Sequence, residues 1–226
     1  MGVKLKHASG NGTVIGAPAA NPSADITLKA PSTTGSAGQV LAVASANHSS
    51  TNAELEWIGE GKILQVQNTT TDTTGSVSLS TANQYYDITN LNVAITPAAS
   101  TSKILMTFHA FGESSTNEHL TSFQVKRAIS GGATTSITAP TAGSRISTLT
   151  MLPETYYGGD HSSTPSVGQV SNYLDAPSTT SAVTYTVQVR CRTASSTWFY
   201  NRTDSDSDTD DNERGVSWIT VMEVAA

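Results

Sequence analysis

Residues 182–190 read AVTYTVQVR, and from Val183 onward every second side chain is apolar: Val183, Tyr185, Val187 and Val189 alternate with Thr184, Thr186, Gln188 and Arg190. Successive side chains of an extended strand point to opposite faces, so this period of two buries one face and leaves the other to water. The same period governs LNVAIT at 91–96 and SFQVKR at 122–127. No window carries the 3.6-residue period of an amphipathic helix. A chain patterned this way must be built from sheets, so the expected fold class is all-β.

Two segments are apolar at both parities. KILMTFHAF, 103–111, offers Ile104, Met106 and Phe108 to one side and Leu105 and Phe111 to the other; VSWITVMEV, 216–224, sets Val216, Trp218 and Met222 against Ile219 and Val221. A strand apolar on both faces lies between two layers or lines a subunit contact. With Trp218 buried in this way, Trp218→Ala is expected to cost roughly 3–5 kcal/mol. Further strands are expected at 63–67, 84–88, 146–152, 169–174 and 196–202, separated by the turn-rich clusters SGGATT, APTAG, PETYYGGDHSSTPS, DAPSTTS and DSDSDTDDNERG. Short strands at such spacing indicate an antiparallel sandwich. Residues 61–226 are therefore expected to form one jelly-roll-like β-sandwich of about eight to ten strands, long enough to bury its own core.

Residues 1–60 are different. Their β-like fragments TVIGA, DITLKA, QVLAVA and ELEWI are cut short by Gly, Pro, Asn and Ser. Isolated short strands are marginal in water. Several copies wound about a shared axis can cover one another's edges, so an extended, intertwined N-terminal segment of a homo-oligomer is expected. The alternative is an arm ordered only on binding something else.

Composition removes several functions. Ser and Thr make up roughly a quarter of the 226 residues, which suits strands and turns, and the net charge is −6. Nucleic acid and anionic membrane surfaces call for a basic footprint, so neither is an expected partner. The single cysteine, Cys191, leaves no intramolecular disulfide and no zinc spacing. The N-terminus lacks the apolar run of a signal peptide and no stretch reaches a transmembrane span, so a soluble protein without membrane insertion or signal-dependent export is expected. No cofactor motif is present.

The phrases SGNGTVIGAPAANPSADITLKAP and GSAGQVLAVASANHSSTNAELEW, followed by YLDAPSTTSAVTYTVQVR, STWFYNRT, an acidic loop and RGVSWITVMEVAA, resemble tail-fibre-like virion structural proteins of marine phages, cyanophages in particular. The most specific parts of the likeness are 35–58 and 173–226. It implies a homotrimeric fibre: residues 1–60 anchor it to other virion proteins of the tail, neck or capsid, and residues 61–226 form a knob that meets the host surface. Its location is then the virion, assembled in host cytoplasm. Such fibres often carry long shafts that this chain lacks, which leaves a head or neck decoration protein as one alternative. A carbohydrate-binding or polysaccharide-cleaving module is another.

Site chemistry is sparse. In PETYYGGDHSSTPS, Tyr156, Tyr157, Asp160 and His161 share one Gly-rich loop. Sugar sites combine an aromatic face with orienting polar groups, so this loop is the candidate receptor or glycan site, against a reading in which both tyrosines cap the core or a trimer seam. In TDSDSDTDDNE, Asp204, Asp206 and Asp208 alternate as calcium ligands can, but neither the sixth-position Gly nor the twelfth-position Glu of a calcium loop is in place. The expected reading there is a solvated acidic hairpin tip, with no metal. Among the 5 histidines, His109 lies on a strand, and no G-x-S-x-G elbow accompanies the many serines. Glu113, Glu118, Glu154 and Asp160 are placed in loops with nothing to set their separation. No catalytic residue is expected.

Overall fold

The structure is a computed structural model, and it describes residues 3–6, 12–15, 27–35, 39–43, 52–59, 62–116, 120–153 and 164–225. The chain divides into two compact units, Met1–Gly61 and Lys62–Ala226. Among the described residues the architecture is all-β, with no helix long and apolar enough to cross a membrane.

In the first unit β1 (Val3–Lys6) pairs antiparallel with β2 (Gly12–Ile15). A separate three-stranded sheet places β5 (Asn52–Gly59) between β3 (Thr27–Lys29), parallel to it, and β4 (Gln39–Val43), antiparallel to it. The Trp57 indole donates to the Thr33 carbonyl at 2.9 Å, and its ring fills the space that a side chain at Gly35 needs, since a Cβ there would lie 2.6 Å away. Strand β4 is one edge of this sheet, with β3 the other. Strand β4 exposes Val40 on one face and Leu41 and Val43 on the other, at 42, 48 and 52% of their surface.

The second unit is two facing sheets. The smaller runs β11 (Thr134–Ile137), β10 (Thr121–Ile129), β14 (Val183–Cys191), β8 (Tyr86–Ile95), with β12 (Thr150–Met151) also paired to β10. The larger contains β6 (Ile63–Thr71), β7 (Gly75–Leu79), β9 (Lys103–Ser114), β13 (Ser166–Asp175), β15 (Ser196–Tyr200) and β16 (Ser217–Val224). Its registers reduce six strands to four ranks. His109 pairs with Gln169 of β13 and Trp218 of β16, while Gly112 pairs with Ser166 of β13 and Tyr200 of β15. A residue has one neighbour on each side, so β15 and β16 lie end to end opposite β13. Strands β7 and β6 follow them, pairing with β15 and β16 in turn.

Among the described residues eleven strands thus stand where eight to ten were expected, because two ranks are each broken in two. The segments 84–88 and 91–96 join into the one strand β8. A bulge between its pairs Thr186↔Asn92 and Gln188↔Asp87 shifts the alternation, and the buried positions run Ile88, Leu91, Val93, Ile95. Of 146–152, only Thr150 and Met151 are strand.

The core forms between the sheets. Phe123 of the smaller sheet packs edge-on against Trp198 of the larger, ring centroids 5.3 Å apart, and tilted against Phe108 at 6.5 Å. Near one edge a polar clamp crosses the core. Arg127 of β10 donates to both carboxylate oxygens of Asp175 on β13, at 2.7 and 2.9 Å, and the Tyr185 hydroxyl of β14 donates to the same carboxylate at 2.8 Å. Burial, with the neighbouring Asp175 charge, raises the Tyr185 phenol far above its ordinary pKa, so it remains a donor.

Trp218 corrects the sequence expectation. Strand β16 buries Ser217, Ile219, Val221 and Glu223 but leaves Trp218, Thr220 and Met222 half-buried on the outward face, where the Trp218 ring stacks on His109 at 5.7 Å. In an isolated chain Trp218→Ala should cost no more than about 2 kcal/mol, because only part of its surface is removed from water. Trp198→Ala, at a fully buried ring, should cost about 3–5 kcal/mol. Urea titration of both variants checks the order; equal losses would contradict the assignment of the two faces.

Candidate functional site

Near the end of strand β9 stands Glu113, which continues the parity of His109 and Phe111 and yet is fully buried. Two loops cover it. Its Oε1 accepts from the Thr164 backbone N–H at 3.1 Å and the Thr164 hydroxyl at 3.2 Å; its Oε2 accepts from the Asp204 N–H at 2.7 Å. Thr164 ends the Gly-rich loop and Asp204 begins the acidic loop, so a single carboxylate fastens both. Glu113 lies on a strand, which corrects its expected place in a loop. Burial raises its pKa above the ordinary 4.5, against the pull of these hydrogen bonds and with the help of the Asp204 charge.

Asn201 holds the other side of the break. It occupies the junction where β15 stops and the chain leaves the sheet until β16 resumes the same rank. Its φ is 60°, a left-handed conformation that Asn tolerates better than most residues. The side chain is fully buried. Its Nδ2 donates to the Thr71 and Thr73 carbonyls at 3.0 and 2.9 Å, across the gap between β6 and β7, and its Oδ1 accepts from the Ser217 hydroxyl at 2.6 Å. The Asn201 N–H donates to the Phe111 carbonyl at 3.0 Å, and Ser217 Oγ accepts from the Phe111 N–H at 3.0 Å. Gly112 beside them permits the close approach of β15, because a Cβ there would meet the Phe199 carbonyl at 2.0 Å.

The acidic loop is therefore an excursion from a broken rank rather than a hairpin tip, closed at its base by the bridge Arg202↔Arg214. It is wired internally. Arg214 donates from Nε and Nη2 to the two oxygens of Asp206, both at 3.0 Å, and Thr203 donates to Asn212 at 3.0 Å. The Arg202 guanidinium lies 4.4 Å over the Phe199 ring and donates to the Thr203 and Asp204 carbonyls. Asp206, Ser207, Asp208, Thr209, Asn212 and Arg214 line an open hollow of about 450 Å³. Of the three alternating aspartates, Asp206 is committed to Arg214, and the Asp204 backbone is committed to Glu113. Among the described residues no group of three His, Cys, Asp or Glu is placed to hold a metal ion.

Tyr156, Tyr157, Asp160 and His161 lie outside the described residues, as do Glu118 and Glu154; of the Gly-rich loop the structure describes only its ends, at Pro153 and from Thr164. His109 is on β9, where burial lowers its pKa. Sequence reading passed over Asn201 and miscast Glu113. The available signals were an Asn closing STWFYN before a polar run, and a carboxylate continuing the alternation of HAFGE. No protein-family model matches the chain, and no curated protein is significantly similar to it.

Asn201→Ala removes the donor to two carbonyls and the acceptor of the Ser217 hydroxyl, and it sets a residue that tolerates the left-handed region less well than Asn at φ 60°. It should cost about 3–5 kcal/mol in chemical denaturation, with Asn201→Gly recovering about 1 kcal/mol through the backbone alone. Glu113 gives a pH signature. Its folded pKa is raised, so the native state binds its proton more tightly than the unfolded chain does. That contribution to stability is full below about pH 4.5 and is lost as pH rises through the folded value. Wild type should lose stability relative to Glu113→Gln over that rise; a gap that stays constant with pH would contradict a buried, charge-penalised carboxylate.

Proposed function

We propose that the chain is a short homotrimeric fibre of a phage virion, anchored to tail, neck or capsid proteins by residues 1–60 and presenting residues 61–226 as a jelly-roll-like knob to the host surface. The observation that carries this reading is β4. A five-residue edge strand with large apolar side chains exposed on both faces is a poor end state for a single chain, because open apolar edges invite pairing. Intertwined copies cover such a strand, and a unit completed by association, joined to one with its own core, has the division of labour of a fibre. The resemblance of 35–58 and 173–226 to phage fibre proteins supports the same reading.

Host contact falls to the loops gathered at Glu113. The acidic loop offers carboxylates, hydroxyls and one guanidinium around an open hollow. The sequence that runs into Thr164 carries Tyr156, Tyr157, Asp160 and His161, a combination suited to a cell-surface polysaccharide. The protein acts by binding, without catalysis.

Deletion of residues 1–60 should leave a folded knob that no longer joins the particle. Gold-labelled antibody against 61–226 on intact particles should mark the tail or its collar. Label over the head would replace the adhesive role with decoration of the capsid, and a truncated chain that still assembles into particles would remove the anchoring role of the first unit.

A further inference from the structure

The two sheets of the second unit face outward with different chemistry. On the smaller sheet, Gln124 donates to Gln188 at 2.7 Å, Gln188 donates to Asp87 at 2.7 Å, and Lys126 pairs with the same Asp87. That is a surface built for water, with charges and amides in a satisfied network. The larger sheet carries a smaller, uncharged network, in which Asn68 donates to Thr220 at 2.7 Å and accepts from Thr70 at 2.9 Å. Val66, Met222, Leu105 and Leu174 are successive cross-strand partners, one from each of its four ranks, and so form an unbroken apolar row across the full width of the sheet. Val66 is 52% exposed and Leu174 57%. The parallel row through Trp218 and His109 carries Thr70 and Gln169 at its ends, and the row between them begins Asn68, Thr220, Thr107. None of these positions holds Asp, Glu, Lys or Arg.

We infer that this outward face of the larger sheet packs against a second copy of the chain. Charge selects the occupant. Copies of a chain with net charge −6 repel one another, and a face whose rows carry one charge, the exposed Lys103 at the start of β9, lets them meet without burying an unpaired ion. Size is sufficient. Four ranks about 4.8 Å apart and roughly eight residues long, at about 3.3 Å each, cover on the order of 500 Å² per copy. Two such faces together remove about 1,000 Å², the lower bound for a specific interface. The first unit also leaves apolar surface uncovered at β4, and association of copies covers both. The inference rests on the proposed self-association and gives it a surface, yet it is separable from attachment to a particle: the face can fail while particle labelling succeeds.

Photo-crosslinking of the full chain tests it, with p-benzoylphenylalanine placed at Leu174 and, as a control, at Ala94, an exposed position on β8 in the smaller sheet. Irradiation should give a band of twice the chain mass for the Leu174 probe, with the adduct mapping to residues 62–226 of the second copy, and no such band for Ala94. Adding Val66→Lys, an exposed site where the change leaves the core intact, should reduce the Leu174 adduct at least tenfold. Absence of the doubled band, an adduct confined to residues 1–61, equal yields at both probes, or a yield unaffected by Val66→Lys would each overturn the inference.

Discussion

A two-layer sandwich has one core and two outward faces, and alternate side chains of every strand must go to one or the other. The inward set here is conventional: branched aliphatics with Phe108, Phe123 and Trp198 meeting across the layers, and Arg127, Asp175 and Tyr185 satisfying one another where polar groups cross the core. The outward sets divide the molecule. One face hands its charges and amides to each other and to water. The other is crossed by one unbroken apolar row, Val66, Met222, Leu105 and Leu174, so its free energy depends on what lies against it. Much of what the protein can do follows from that asymmetry, together with the open apolar strand β4.

The break in the larger sheet has the opposite character. It is the place where the structure spends buried polar groups. Asn201 satisfies both halves of its amide within the break, and Glu113 uses both carboxylate oxygens to fasten two loops at the end of β9. Interrupting a rank rather than a hairpin lets the acidic loop leave the sheet and return to the same line. The strands on either side stay in register. A loop can then vary in sequence without disturbing the sandwich, which is the usual arrangement of a rigid scaffold that carries recognition on its loops.

The inner faces were legible in the sequence because alternation reports burial directly: Val183, Tyr185, Val187 and Val189 are all in the core, as are Phe123 and Val125. Pairing was not legible, since alternation says nothing about which strands are neighbours, and the collinearity of β15 with β16 appears only in their shared register along β9. Strand β8 read as two because its bulge changes the phase of the alternation in mid-strand. The apolar character of both faces of 103–111 and 216–224 was visible, but it could not separate a third layer from an open face. Asn201 and Glu113 escaped for a different reason. Their roles depend on groups brought from 71–73, 164 and 204, and no local pattern records such a meeting. The Gly-rich loop with Tyr156 and Tyr157 lies outside the described residues, so its expected sugar chemistry rests on sequence alone.

Both units expose apolar strand surface that water covers poorly, and the claim joining fold to function is that copies of this chain cover it. The mass of the intact chain under native conditions, by native mass spectrometry over a range of concentrations, addresses this most directly. A single species of three chains that persists on dilution is the predicted result. A chain that remains monomeric at the highest concentration would contradict it, and would leave the open face and strand β4 to a different partner.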